Sequence, residues 1–252
     1  MTAVRYEVKG GVATVTLADP DNKNALNAGI INGIGDGLTA GIAEEGVRAI
    51  VLTHDGNTFC AGADLKRGGP VEESRFTFPG VLSLMQDSPK PVVAVLRGHA
   101  MGGGVGLAAA ADLSIASTDV KLGFTEVRIG VAPAMISVVC LPKLSRADAA
   151  ELFLTGRRIS AEKAAQVGLI NRAVAPEELD AAVAELVGEL VAGGPHALAA
   201  SKVLLARVPE LARDDAFGWT QELSAELFRS PEAAEGITAF RERRPASWVP
   251  GP

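Results

Sequence analysis

Aromatic residues are scarce. Eight Phe, two Trp and one Tyr make up 4% of 252 residues, so the core must be built from Ala, Val, Leu and Ile. Cysteine is nearly absent: Cys60 and Cys140 lack metal-ligand spacing, and in a chain that reads as cytosolic they raise no expectation of a disulfide. Basic charge is in deficit, 24 Lys and Arg against 30 Asp and Glu for a net −6, which argues against nucleic acid as the main partner. No apolar run reaches the roughly 18 residues of a membrane span. The opening MTAVRYEVKG has no apolar core segment, so no secretory signal is expected and the location is read as cytoplasmic. What is abundant is aliphatic: 48% hydrophobic residues can bury a large core, as one domain with an appendage.

Residues 4–18 read as two strands about Gly10-Gly11, the second alternating apolar and polar. Asp19-Pro20-Asp21-Asn22 is a turn by composition. Residues 28–43 carry Ile30, Ile31, Ile34, Leu38 and Ile42 at helical spacing, against the cost of five glycines. Residues 48–53 and 92–96 are short, Val-rich and bounded by breakers, the marks of buried strands. Segment 66–90 starts charged and irregular and turns periodic near 81–85, as a lid followed by a short helix would. Ser145 and Ser160 open helices as N-caps, and further helices follow at 177–191, 196–207, 210–228 and 231–243. The pattern is strand alternating with helix to about residue 140 and helix alone beyond it.

Chemistry concentrates in 91–133. A strand-like run is followed by Gly102-Gly103-Gly104 and an Ala-rich helix, whose first turn offers unpaired N–H groups. Upstream, FCAGAD at 59–64 leaves another strand with its amides unshielded. If the two strands are neighbours, one N–H from each loop converges on a single carbonyl oxygen and stabilises charge developing there. The plainer alternative is a close-packed helix and two ordinary turns. Glu126 is either a carboxylate near that oxygen or a surface group paired with Lys121 or Arg128. His99, beside the glycine turn, reads as a structural hydrogen-bonder, and Asp112 as a brace of the fold. A dinucleotide site is the rival, since Gly104 to Ala109 fits GxGxxA. About six residues separate that stretch from Leu96, too many for the tight turn such a site needs.

FCAGADL, GHAMGGGVGL, DLSIAS and LGFTEVRIGVAP, with NKNALN near the start and SPEAAEGITAFRERRPASW near the end, together resemble the crotonase, or enoyl-CoA hydratase/isomerase, superfamily. The resemblance covers essentially the whole chain. It implies an α/β fold, a spiral of ββα units (residues 1–195) with a C-terminal helical region (196–252) that completes the CoA site and assembles a homotrimer or dimer of trimers. It implies an acyl-CoA thioester partner and no separate cofactor, coenzyme A being part of the substrate. The Ala63 and Gly103 amides would form the oxyanion hole. Ala25, Leu26, Ala61, Asp64 and Leu65 would line the CoA site, with Phe240 and basic residues near Arg244 added, from the same or a neighbouring subunit. Lys23, Lys66 and Arg67 are phosphate candidates by charge alone.

The resemblance also exposes two departures. Hydratases of this family pair two glutamates; Glu126 inherits the role of the second, which delivers a proton to the α carbon. The first would stand one helical turn past the oxyanion glycines, where this chain has Gly106. A lone carboxylate suits double-bond isomerisation, which needs one proton shuttle. Where common hydratases carry PGxGG, this chain has Pro133-Ala134-Met135-Ile136-Ser137, similar to hydratases of branched or glutaconyl-type thioesters, which would use Glu126 and a different second group. Asp87, Glu72 and Glu73 are candidates for a missing acid. A non-catalytic acyl-CoA-binding relative is the remaining reading.

Overall fold

The computed structural model describes residues 3–67 and 74–249. Its order is a repeated strand-strand-helix unit. The first comprises β1 (Val4–Lys9), β2 (Val12–Leu17) and α1 (Ala28–Ala43), the second β3 (Ala49–His54), β4 (Thr58–Cys60) and α2 (Phe78–Asp87). The third comprises β5 (Val92–Leu96), β6 (His99–Met101) and α3 (Gly103–Ala110), and the fourth β7 (Leu113–Ser117), β8 (Lys121–Gly123) and α4 (Ala134–Cys140). Then follow α5 (Arg146–Thr155), β9 (Arg158–Ser160), α6 (Ala161–Gln166), β10 (Arg172–Val174), α7 (Leu179–Ala192), α8 (Pro195–Arg207), α9 (Arg213–Phe228) and α10 (Pro231–Glu242).

The repeat has a structural consequence. From the second unit to the fourth, the first strand joins a six-stranded sheet of order β1-β2-β3-β5-β7-β10, and the second joins a four-stranded sheet of order β4-β6-β8-β9. The pairs β2–β3, β3–β5, β5–β7, β4–β6 and β6–β8 are all parallel. Central strands buried on both faces read as continuous apolar runs. That is why Val92–Leu96 is buried at every position. Among the described residues no helix is long and apolar enough to cross a membrane.

Two expectations need correction. Strands do not stop at residue 140: β9 pairs antiparallel with β8, and β10 closes the large sheet on β7. Each is three residues long, too short for any periodicity to show. Also, the stretch between Leu96 and the glycine turn is not a long loop. It contains β6, which runs directly into Gly102, so the spacing objection to a tight strand-to-helix turn fails. The helix caps, by contrast, stand as expected: the Ser145 hydroxyl accepts from Asp148 N and that of Ser160 from Lys163 N. Cys60 and Cys140 are buried free thiols, both pushed up to about 12, chiefly by burial.

Side chains tie the layers together. Lys202 of α8 donates to an Asp112 carboxylate oxygen at 2.6 Å, and that same oxygen accepts from Val92 N. Asp112 is therefore a brace, as its position suggested. His99 Nδ1 accepts from Lys121 N, joining β6 to β8. His54, 5% exposed at the end of β3, accepts the Arg97 N–H on Nε2 and so donates from Nδ1 to the Asp55 carbonyl. Burial lowers its pKa below the usual histidine value, with the Arg97 charge adding to the effect. A depressed histidine contributes stability that is complete above about pH 6.5 and lost as pH falls toward its folded pKa. The Tm of the native protein should therefore drop between pH 7.5 and 5.0 more steeply than that of His54→Gln, measured by calorimetry. Parallel curves would show that His54 does not carry this dependence.

Candidate active site

The site is assembled where β4 and β6, parallel neighbours, end side by side. After β4 the chain turns through Gly62, whose φ of +86° favours glycine. A Cβ at Gly62 would lie 3.4 Å from Gly103 N and 3.0 Å from the Met101 carbonyl, so the two loops touch backbone to backbone. The Gly62 carbonyl accepts from Leu26 N at 2.8 Å, and Leu26 and Ala63 form an isolated parallel bridge. In a trans peptide C=O and N–H point opposite ways, so the Ala63 N–H is directed away from Leu26. Gly103 is the first residue of α3, and a helix's first N–H groups have no intrahelical acceptor. The two backbone donors thus stand on touching loops.

The loop carrying Ala63 is braced from NKNALN. Asn24, fully buried with φ of 50°, donates to the Asp55 and Thr58 carbonyls and accepts from Asp19 N. Asn27 caps α1 through Ile30 N. Asn22 donates to Asp64 Oδ2, and Asp64 Oδ1 accepts from Lys66 N. Asp64 is 2% exposed, so its carboxylate faces this internal network. Ala25 and Leu26 are buried beside it, and Leu65 is 63% exposed.

Glu126 enters from a 3-10 turn, Thr125–Ile129, closed by Gly130 in the left-handed region. Its Oε1 stands 2.9 Å from where a Cβ on Gly102 would lie; with φ of 51° at Gly102, glycine serves both backbone and carboxylate there. Oε2 is buried and, among the described residues, without a hydrogen-bond partner. Burial pushes the Glu126 carboxyl up from the ordinary value, offset in part by its own backbone N–H. It forms no ion pair with Lys121 or Arg128 among the described residues, so the surface-pair alternative is not what the fold builds. Glu126 is thus a half-buried carboxylate of raised pKa set against Gly102, the residue before the Gly103 amide.

Several candidates lie elsewhere. Phe240 stands 85% exposed on α10. Arg244 is committed to Glu235, at 2.8 and 3.0 Å, and to Glu242 at 2.7 Å; the first pair holds Glu235 down at about 2. The Lys66 ammonium donates to Asn22 Oδ1. Lys23 sits in the left-handed region closing the turn after Pro20, and Arg67 ends the turn Leu65–Arg67. Asp87 is exposed in the last turn of α2, about 13 Å along that helix from Phe78 at 1.5 Å per residue. Glu72 and Glu73 lie outside the described residues.

Sequence reasoning missed Phe78 and Ile136. A Cβ on Gly103 would meet Leu26 Cδ1 at 2.4 Å and Phe78 Cζ at 3.3 Å, and one on Gly106 would meet Ile136 Cγ2 at 2.3 Å and Phe78 Cζ at 3.7 Å. The walls beside Gly103 and Gly106 are therefore hydrocarbon. The Pro133 to Ser137 variant was the one available signal for Ile136; nothing in the sequence marked Phe78.

The model of the enoyl-CoA hydratase/isomerase family matches residues 7–250. The chain belongs to that family. It is 36% identical over 245 residues to a putative enoyl-CoA hydratase of Thermus thermophilus, covering 94% of this chain and 97% of that protein. It is 31% identical to a short-chain-enoyl-CoA hydratase of Clostridium acetobutylicum, covering 96% and 95%. The crystal structure of an enoyl-CoA hydratase of Mycobacterium smegmatis superposes with a TM-score of 0.90 at 32% identity over 98% of both chains. The fold of this family member is thus crotonase-like, with ββα units and a helical C-terminal part. The short turn into α3, which taken alone suits a dinucleotide fingerprint, lies in a chain that the family model matches over residues 7–250.

Proposed function

We propose that the protein adds water across the double bond of a 2-enoyl-CoA thioester, with Glu126 as its one acid–base group. The observation that carries this is the half-buried Glu126 carboxylate set against Gly102, in the turn that leads to the Gly103 amide and touches the loop of Ala63. The thioester carbonyl oxygen accepts from both amides. Water oxygen bonds to the β carbon while its proton passes to Glu126, and the π pair moves to the carbonyl oxygen as an enolate held by the amides. Glu126 then gives the proton to the α carbon, the carbonyl reforms and the carboxylate is regenerated. The sum is addition of H and OH with no redox change. Because one carboxylate handles both, the addition is syn. The names of the Thermus and Clostridium relatives support hydration.

A second reading is favoured by Gly106. With no carboxylate at position 106, Glu126 takes a proton from the α carbon of a 3-enoyl thioester and returns it two carbons along, moving the double bond into conjugation. In either reading Ala25, Leu26, Ala61, Asp64 and Leu65 form the CoA-side loops. The C-terminal region, 196–252, assembles trimers or paired trimers, and Phe240 is supplied to a neighbour's CoA site. The exposure of Phe217, Phe228 and Phe240, at 69%, 74% and 85%, supports such burial by another subunit. Coenzyme A is part of the substrate and no further cofactor enters.

Incubation with a panel of 2-enoyl and 3-enoyl CoA thioesters, read by mass and by the position of the double bond, tests this. Gain of one water by a 2-enoyl thioester is expected. Unchanged mass with a 3-enoyl bond moved to position 2 would replace hydration by isomerisation. Binding without either product would end the catalytic reading.

A further inference from the structure

We propose that Ile136 is the residue that fixes this enzyme in its one-carboxylate form, by filling the volume into which a side chain at position 106 would project. The inference rests on the proposed function for its catalytic meaning, but its structural core stands apart from it. Gly106 lies one turn along α3 from Gly102, where Glu126 makes its approach, and residues four apart share a helix face. A side chain at 106 would therefore enter the same site. That place is taken. Ile136, 3% exposed on α4, brings Cγ2 within 2.3 Å and Cβ within 3.0 Å of where a Cβ at 106 would be. No real Cβ tolerates such distances, and Phe78 closes the flank at 3.7 Å. The two departures seen separately in the sequence, Gly106 and the Pro133 to Ser137 variant, are thus one packing unit: where α3 has no side chain, α4 places one.

The consequence is a rule about reaction specificity. A carboxylate at 106 alone cannot be accommodated, because a filled core resists added volume. Carboxylate at 106 with a small residue at 136 can. Ile136 thereby decides whether Glu126 works alone.

A thermal cycle reads the packing without reference to turnover. Gly106→Ala in the native protein should lower Tm by about 5 °C, the scale that overpacking sets for a chain of this size. In an Ile136→Ala background the same change should leave Tm unchanged or raise it, since alanine is the better helix former and fills the space vacated. Equal losses in both backgrounds would overturn the inference. The functional arm compares Gly106→Glu/Ile136→Gly with Ile136→Gly alone on a 2-enoyl thioester. Water addition should rise at least tenfold on restoring the second carboxylate; no rise in a folded double variant would overturn the role in specificity. If the native protein converts no thioester, the proposed function falls and the thermal cycle alone decides the place of Ile136.

Discussion

Replacing Glu126 by glutamine should abolish turnover and stabilise the fold at the same time. The kinetic half follows from the proposed function, in which Glu126 handles both proton steps: general acid–base assistance is worth about 10²–10⁴-fold in kcat. Glutamine keeps the size of the side chain and removes its charge, so KM should move little. The native kcat/KM should rise with pH as Glu126 ionises, through a pKa displaced upward by burial, and this limb should vanish with the side chain.

The stability half follows from the same burial. The folded carboxyl titrates above the unfolded value of 4.5, so its contribution is complete below that value and is lost as pH rises through the folded pKa. At neutral pH the native protein keeps a charge half out of water with Oε2 unpartnered. Glutamine carries no charge and does not titrate. The Tm of Glu126→Gln should match the native Tm near pH 4.5 and exceed it by a margin that widens toward pH 8. A variant that is less stable at pH 8, or that tracks the native curve at constant offset, would show that burial of the charge is not what raises the pKa. A site that holds a destabilising group is one mark of function overriding stability.

The site's main-chain half was legible in the sequence because glycine and small residues mark it locally. FCAGAD and GGG announce unshielded amides, and the first N–H groups of a helix have no intrahelical acceptor. Glu126 was legible through its motif. The division into two sheets was not, because a strand as short as His99–Met101 leaves no period to detect, and its residues H-A-M read equally as loop. The pairing of Gly106 with Ile136 was illegible for a different reason. Thirty residues separate them, and volume complementarity appears only when α3 and α4 are brought into contact. Phe78 shows the same limit: the periodicity of 81–85 places a helix, but which end faces the glycine loop is decided by tertiary packing. Asp64 is instructive in the other direction. Its motif marked the loop, but that its side chain turns inward to accept from Asn22 and Lys66 N is visible only in the fold.

Severing Lys202 from Asp112 should be the most damaging single change outside the site. Lys202 is 9% exposed at its side chain and Asp112 21%, with 2.6 Å between them. The ammonium also donates to the Met85 and Lys90 carbonyls, at the end of α2 and just past it, so one side chain on α8 fastens the C-terminal helices to α2 and to β5. Despite this cation, burial leaves the Asp112 carboxyl above its ordinary value; desolvation outweighs the attraction. Lys202→Met fills the space but strands the carboxylate, at a cost of about 3–5 kcal/mol. Pairing it with Asp112→Asn removes the charge while keeping an oxygen for Val92 N, and should recover most of that loss. The sign of the pH response supplies the check. With its cation gone, Asp112 titrates still higher when folded, so the stability of Lys202→Met should increase as pH falls from 7 to 5, and that of the double variant should not show this increase. Denaturant unfolding at the two pH values measures both. If Lys202→Met costs little and is indifferent to pH, the pair does not anchor α8, and the attachment of the C-terminal helices rests on apolar packing alone.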